Sequence, residues 1–150
     1  MAANTRSSGR LTVSREAILG RPPLTVWKLI GEYDLLDVWL PPVHASRTAG
    51  NPQQPGAVRT LDLANGGRVT ERLLAFSHSK RSYSYAFIES PLPVTNYIAT
   101  LELADAPLER TLLRWHSRFD PAGVSDLAAQ EEIAAIYEAG LGKLSGLLGT

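Results

Sequence analysis

Six consecutive strand-like runs, separated by clusters of glycine, proline and asparagine, occupy 43–49, 56–64, 68–76, 81–89, 94–104 and 110–120. The breaks are short, so neighbouring strands should pair antiparallel, because parallel pairs need long crossovers. Beyond Pro121 and Gly123 the period changes. Ser125 is placed to cap a helix, with Glu131 and Glu132 in its early turns. Ile133, Ile136, Tyr137, Leu141, Leu144, Leu147 and Leu148 form its apolar stripe. Upstream, 11–19 reads as a strand ended by Gly20 and Pro22-Pro23. Val26, Trp27, Ile30 and Tyr33 then recur at helical spacing behind Pro23, and a second short helical piece holds Leu35, Leu36 and Trp39 before Pro41-Pro42 stops it. A meander with one apolar face and a helix with one apolar stripe bury both by wrapping together. The expectation is an α+β fold: a seven-stranded antiparallel sheet around a long C-terminal helix, with two short helices after strand 1. Residues 1–9 are small and polar and are expected to be a disordered tail, leaving 10–150 as a single domain.

Composition narrows the function. With 150 residues, 44% of them apolar, the chain can build a full core without staples. It has no cysteine, hence no disulfide framework, thiol nucleophile or thiolate metal ligand. Fifteen basic and fifteen acidic residues balance, which argues against broad binding to nucleic acid or anionic membrane. No apolar run reaches the ~18 residues of a spanning helix, and the opening MAANTRSSGR lacks the apolar segment of a secretory signal. A cytoplasmic protein, monomer or homodimer, is expected.

The hairpin around Asn65-Gly66-Gly67 carries the chemistry. Ala57, Arg59, Leu61 and Leu63 share one face of its first strand, and Val69, Glu71, Leu73 and Ala75 share one face of its second. A two-residue turn would set an apolar face beside a polar one. A three-residue turn with glycine in its left-handed position pairs 64 with 68 and aligns both apolar faces. In that register Leu61 faces Glu71, Arg59 faces Leu73, and Arg59 and Glu71 are diagonal neighbours on the buried side. Buried charges must pair or meet water and ligand. The pair is therefore either a structural device that fixes register or a polar site in an apolar cavity. Tyr83, Tyr85 and Phe87 alternate onto one face of the next strand, and an odd-length loop over 77–79 would set Tyr85 across from Glu71. Tyr97 and Trp115 face inward on the two strands that follow. Any of these aromatics can simply fill core. Several hydroxyls beside a charged pair nonetheless fit a wet or ligand-filled cavity better than a dry one.

Val26-Trp27-Lys28-Leu29-Ile30 with Trp39-Leu40-Pro41, Gly56-Ala57-Val58-Arg59, Thr70-Glu71-Arg72-Leu73, Asn96-Tyr97, Trp115 through Pro121, and Tyr137-Glu138-Ala139-Gly140-Leu141 follow one another in an order that resembles the START/Bet v 1-like (SRPBCC) superfamily, polyketide cyclase/dehydrase branch. The resemblance implies a helix-grip fold with a ligand cavity between sheet and helix. It extends to plant abscisic-acid receptors, where the positions matching Glu71 and Tyr97 line the hormone pocket. It extends also to lachrymatory-factor synthase, where those matching Arg59 and Glu71 are thought essential. The receptors' gate loop is longer than Asn65-Gly66-Gly67 and their pocket lysine has no evident match, so hormone signalling does not carry over.

The leading expectation is a cofactor-independent cyclisation, dehydration or isomerisation of a small apolar or polyketide-like molecule. Glu71 would shuttle the proton, Arg59 would stabilise developing negative charge, and Tyr85 or Tyr97 would donate a hydrogen bond. Trp39, Tyr83, Phe87, Trp115 and Tyr137 would shape the pocket. The rival is a non-catalytic carrier or sensor of a lipid-, polyketide- or terpenoid-like ligand, with Arg59 anchoring an acidic headgroup. A third possibility is a partner surface on the convex sheet face, where Arg68, Arg72, Arg114 and Arg118 should otherwise be a solvated face. His44, His78 and His116 are too dispersed for a metal motif, although His44 falls near the expected cavity mouth. Gly66-Gly67 lacks the strand-to-helix setting of a phosphate loop. No metal or cofactor is expected.

Overall fold

A computed structural model describes residues 9–150. The tail expected over 1–9 lies outside them except for Gly9, which is buried and whose carbonyl accepts a hydrogen bond from Arg118 Nε at 3.2 Å. Along the chain come β1 (Leu11–Leu19), α1 (Pro23–Ile30), one 3-10 turn (Leu36–Val38), β2 (Val43–Ala49), β3 (Val58–Leu63), β4 (Arg68–Ser77), β5 (Ser82–Glu89), β6 (Val94–Ala106), β7 (Arg110–Pro121) and α2 (Asp126–Leu148). The strands form one antiparallel sheet in the order β1-β7-β6-β5-β4-β3-β2. β2 to β7 are thus a meander. β1 closes on β7 at the far edge, and α1 with the 3-10 turn carries the chain from one edge of the sheet to the other. This is the helix-grip α+β fold. No helix of the described residues is long and apolar enough to cross a membrane.

Local chemistry sets the helix limits. Pro23, its φ already helical, opens α1 after an extended Pro22. Gly31 closes it, its N–H donating to the Trp27 carbonyl at 2.8 Å. Tyr33, expected on the helical stripe, therefore lies past the helix end and turns inward, fully buried. Ser125 caps α2 by accepting from the Ala128 N–H at 3.1 Å. The buried stripe of α2 is Ala129, Ile133, Ala134, Tyr137, Gly140, Leu141 and Leu144, whereas Leu147, expected on it, is 50% exposed. Small residues take the positions where the helix comes closest to its neighbours. A Cβ on Gly140 would lie 2.8 Å from Leu40, 3.0 Å from Trp115 and 3.1 Å from Trp39.

Two strand registers differ from expectation. The β3–β4 turn has three residues, but they are Ala64-Asn65-Gly66, closing on Leu63 and Gly67. Gly66 is the left-handed residue (φ 94°), and the Asn65 side chain accepts from the Gly67 N–H at 2.9 Å. Each strand shifts by one, so the apolar faces still align, but Arg59 stands directly opposite Glu71 and Leu61 opposite Val69. On β4–β5, Glu71 is opposite Phe87 and Leu73 opposite Tyr85, not Glu71 opposite Tyr85. The turn there spans four residues, 78–81, between Ser77 and Ser82, and a bulge between Leu73 and Ala75 shifts the register by one and reverses the faces beyond it. Ala75 is exposed in consequence, and Phe76 turns inward to stack on Tyr83.

The outer sheet face carries mixed charge. Exposed Arg68 and Arg47 both bond Asp62, exposed Arg114 lies 3.8 Å from both Glu16 and Glu102, and His116 Nε2 is 2.6 Å from Glu102.

Candidate active site

The β3–β4 pairing brings Arg59 and Glu71 face to face under the sheet. Arg59 is 1% exposed and Glu71 4%. The guanidinium donates to Glu71 Oε1 twice, from Nε at 2.9 Å and from Nη2 through a shorter contact. Nη1 donates to the Tyr33 carbonyl at 2.8 Å. The Tyr33 ring lies 3.9 Å from the guanidinium carbon, with Tyr85 at 5.2 Å and Tyr83 at 5.9 Å. Both guanidinium contacts fall on Oε1. Among the described residues, Oε2 accepts no hydrogen bond.

Glu71 forms part of the wall of a cavity of about 250 Å³. Arg59 does not: it sits behind Glu71, wrapped by tyrosines. The cavity is otherwise walled by aliphatic side chains from the 3-10 turn, β2–β4 and the Leu92 loop, by Tyr85, Phe87, Tyr97 and Trp115 of the sheet, and by Ile136 and Tyr137 of α2. Exposed Ala64 and Asn65 with half-buried Leu92 and Ile136 mark its mouth.

The hydroxyls form two sets. Tyr85 accepts from the Trp115 indole N–H at 3.1 Å, which leaves its own proton to donate. The Tyr97 and Tyr137 hydroxyls share a short hydrogen bond, with the Tyr85 hydroxyl beside Tyr97 and the Ser117 hydroxyl beside Tyr137. Trp115 stacks on Tyr137 at 4.1 Å, and Phe87 stacks on Tyr97 at 3.9 Å.

Burial pushes the Glu71 carboxyl above the ordinary carboxylate range, and the charge and hydrogen bonds of Arg59 pull it part of the way back. Burial also opposes the charge on Arg59, but Glu71 and the tyrosines outweigh it and hold a permanent cation. Burial raises Tyr85 and Tyr97 well above the usual phenol value, reinforced in each by neighbouring Tyr137. All three remain neutral hydrogen-bond donors. Such a site holds one acid–base group in an apolar enclosure, backed by a fixed cation and flanked by neutral donors.

Of the residues expected at the site, Glu71, Tyr85, Tyr97, Phe87, Trp115 and Tyr137 meet at the cavity. Trp39 and Tyr83 do not line it. Trp39 is packed edge-on to Trp115 at 5.6 Å, and Tyr83 packs against Tyr33 and Phe76. His44 is exposed on β2 and outside the lining, while His78 accepts from the Trp27 indole N–H at 2.9 Å. Among the described residues no three His, Asp or Glu side chains come together as a metal site would require. Tyr33 is the residue that sequence reasoning missed. Its carbonyl and ring fix Arg59, yet its position in the sequence read only as one more apolar point on a helix.

Residues 10–149 match the model of the family described as polyketide cyclase / dehydrase and lipid transport. A search of curated proteins found no match. Among solved structures, XoxI of Bacillus cereus is 30% identical over 93% of this chain and 96% of its own, with a TM-score of 0.87. An uncharacterised Bacillus thuringiensis protein is likewise 30% identical, over 91% and 98%, with a TM-score of 0.86. A Thermobifida fusca protein is 27% identical over 89% and 90%, with a TM-score of 0.81. A family match over nearly the whole chain, on an architecture these proteins share, makes this chain a member of the polyketide cyclase/dehydrase and lipid transport family of the START/Bet v 1-like superfamily.

Proposed function

We propose that the protein binds a small, largely apolar molecule in this cavity and moves a proton on it through Glu71, in a cofactor-independent cyclisation, dehydration or isomerisation. The observation that carries the reading is Glu71 Oε2: a carboxylate oxygen without a hydrogen-bond partner among the described residues, in an apolar wall, on a residue whose other oxygen is held by a buried arginine. Desolvation strengthens such a carboxylate as a base. A cavity of about 250 Å³ is below the roughly 300–1,000 Å³ of pockets that hold drug-sized ligands, which favours a small substrate. Arg59 acts through Glu71, because it is covered on the cavity side. It keeps the carboxylate fixed in rotamer and balances its charge after the proton is returned. Tyr85 and the Tyr97–Tyr137 pair supply the donors that steady a developing enolate or alkoxide.

The reading can be tested before the natural substrate is known. 5-Nitrobenzisoxazole opens to a coloured cyanophenolate when a base removes its carbon-bound proton and the N–O bond breaks. Wild-type protein should accelerate this opening, with a rate that rises with pH through a midpoint above the ordinary carboxylate range. Glu71→Gln, checked as folded by circular dichroism, should lower the rate by roughly 10²–10⁴. Unchanged turnover in that variant would remove Glu71 from the chemistry. Tight binding of the probe by wild-type protein with no acceleration would favour the carrier function.

A further inference from the structure

The cavity presents one charged group to a ligand, and it is an anion. Glu71 is the sole charged residue among the described residues that line it. The buried cation behind it, Arg59, directs Nε and Nη2 to Glu71 Oε1 and Nη1 to the Tyr33 carbonyl, and the Tyr33 ring covers it at 3.9 Å. Its charge is therefore used within the protein. A carboxylate or phosphate in the cavity would lie against Oε2 with no cation of its own, in surroundings where like charges repel strongly. An ammonium would be drawn to Oε2. It would still add a net charge to an Arg59–Glu71 pair that is already neutral, and buried uncompensated charge is costly. The other polar groups of the wall are the acceptor Oε2, the neutral hydroxyls of Tyr85, Tyr97 and Tyr137, and, at the mouth, the Asn65 amide, whose oxygen is held by the Gly67 N–H. Acceptor and donors on the wall of one cavity match a group that both gives and takes a hydrogen bond.

From this arrangement we infer that the cavity selects uncharged, oxygenated molecules, alcohols, phenols or the enol forms of ketones on an apolar skeleton, and rejects carboxylates, phosphates and amines. The inference rests on Glu71 being the group that meets the ligand. It departs from the expectation that Arg59 anchors an acidic headgroup.

Four bicyclic probes of one shape test it by titration calorimetry at neutral pH: 2-naphthol, 2-methoxynaphthalene, 2-naphthoate and 2-naphthylmethylammonium. For wild-type protein 2-naphthol should bind most tightly. The methyl ether, which cannot donate to Oε2, should be weaker by about tenfold or more, as for loss of a hydrogen bond to a charged group. The two ions should be weaker still. Glu71→Ala leaves the Arg59 cation unpaired and should invert the order, with 2-naphthoate overtaking 2-naphthol. The wild-type ranking decides the matter if that variant does not fold. Naphthoate or the ammonium binding wild-type protein as tightly as naphthol overturns the inference, and so does failure of naphthol to bind. The two readings fail separately. Charge-blind binding with Glu71-dependent opening of nitrobenzisoxazole overturns only the ligand class. The inferred ranking without that opening overturns only the proton transfer.

Discussion

Replacing Arg59 with leucine removes two hydrogen bonds to Glu71 Oε1 and one to the Tyr33 carbonyl, and leaves a carboxylate without a counter-charge under the sheet. Breaking a buried pair from one side costs about 3–5 kcal/mol. For a chain of this size each kcal/mol lowers the melting temperature by about 2–4 °C, so the variant should melt roughly 6–20 °C lower. The size of the loss should depend on pH, and the sign follows from Glu71. Burial raises its folded pKa above the unfolded value. Its contribution to stability is therefore fully present below the unfolded pKa and is lost as pH rises through the folded one. Arg59 holds that folded pKa down, and without it the pKa climbs further. Arg59→Leu should accordingly cost least in acid, where Glu71 takes a proton and needs no partner, and most above the raised folded pKa. Glu71→Leu strands a guanidinium that cannot shed its proton and removes the Glu71 titration, so its own stability should be flat where wild type loses stability with rising pH, and its cost relative to wild type should shrink as pH rises. The double variant Arg59→Leu/Glu71→Leu leaves no buried charge and should lie close to wild type. Urea unfolding followed by circular dichroism across a pH series measures all four proteins. A pH-independent loss in Arg59→Leu, or a double variant as unstable as the sum of the two single ones, would refute the account of a desolvated, mutually dependent pair.

Gly140 and Gly142 lie on one helix and should respond in opposite directions. Gly140→Ala drives a methyl into Leu40, Trp115 and Trp39; overpacking of about 1–3 kcal/mol outweighs the roughly 1 kcal/mol of helix propensity gained, and the melting temperature should fall. Gly142→Ala meets nothing within 4 Å and should raise it by the propensity term alone. Gly66→Ala, at φ 94°, should cost about 1–2 kcal/mol, read as a lower urea midpoint at unchanged slope.

The strands were legible because alternation is a local signal, and each run from 43–49 to 110–120 appears as a strand with ends within a few residues of those expected. The α2 start was legible for the same reason, since Ser125 caps it through atoms three residues away. The Arg59–Glu71 pair was legible through parity: any register that aligns the two apolar faces keeps both charges on the buried side. Which glycine of Asn65-Gly66-Gly67 takes the left-handed conformation was not readable, because either one can. That choice turned a diagonal pair into a direct one. The bulge after Leu73 leaves no mark in the sequence either. Its reason is tertiary, since it turns Phe76 toward Trp27 and Tyr83. The same limit applies to the cavity wall. Leu36, Leu40, Pro42 and Leu92 reach it from a 3-10 turn and loops, whose course no periodicity encodes. Trp39, and Tyr83 on the inward face it shares with Tyr85 and Phe87, were expected there, and they pack behind the wall instead.

The position of Arg59 outside the cavity divides the labour of the chain. The Glu71 carboxylate and everything that fixes it belong to β3, β4 and the Tyr33 turn. The outline of the cavity belongs largely to others: the 3-10 turn, the Leu92 loop and Ile136 of α2. Substitutions that reshape the enclosure therefore need not touch the charged pair. A scaffold divided in this way can exchange one ligand for another by changing a few apolar side chains at the rim while the buried Arg59–Glu71 pair stays in place.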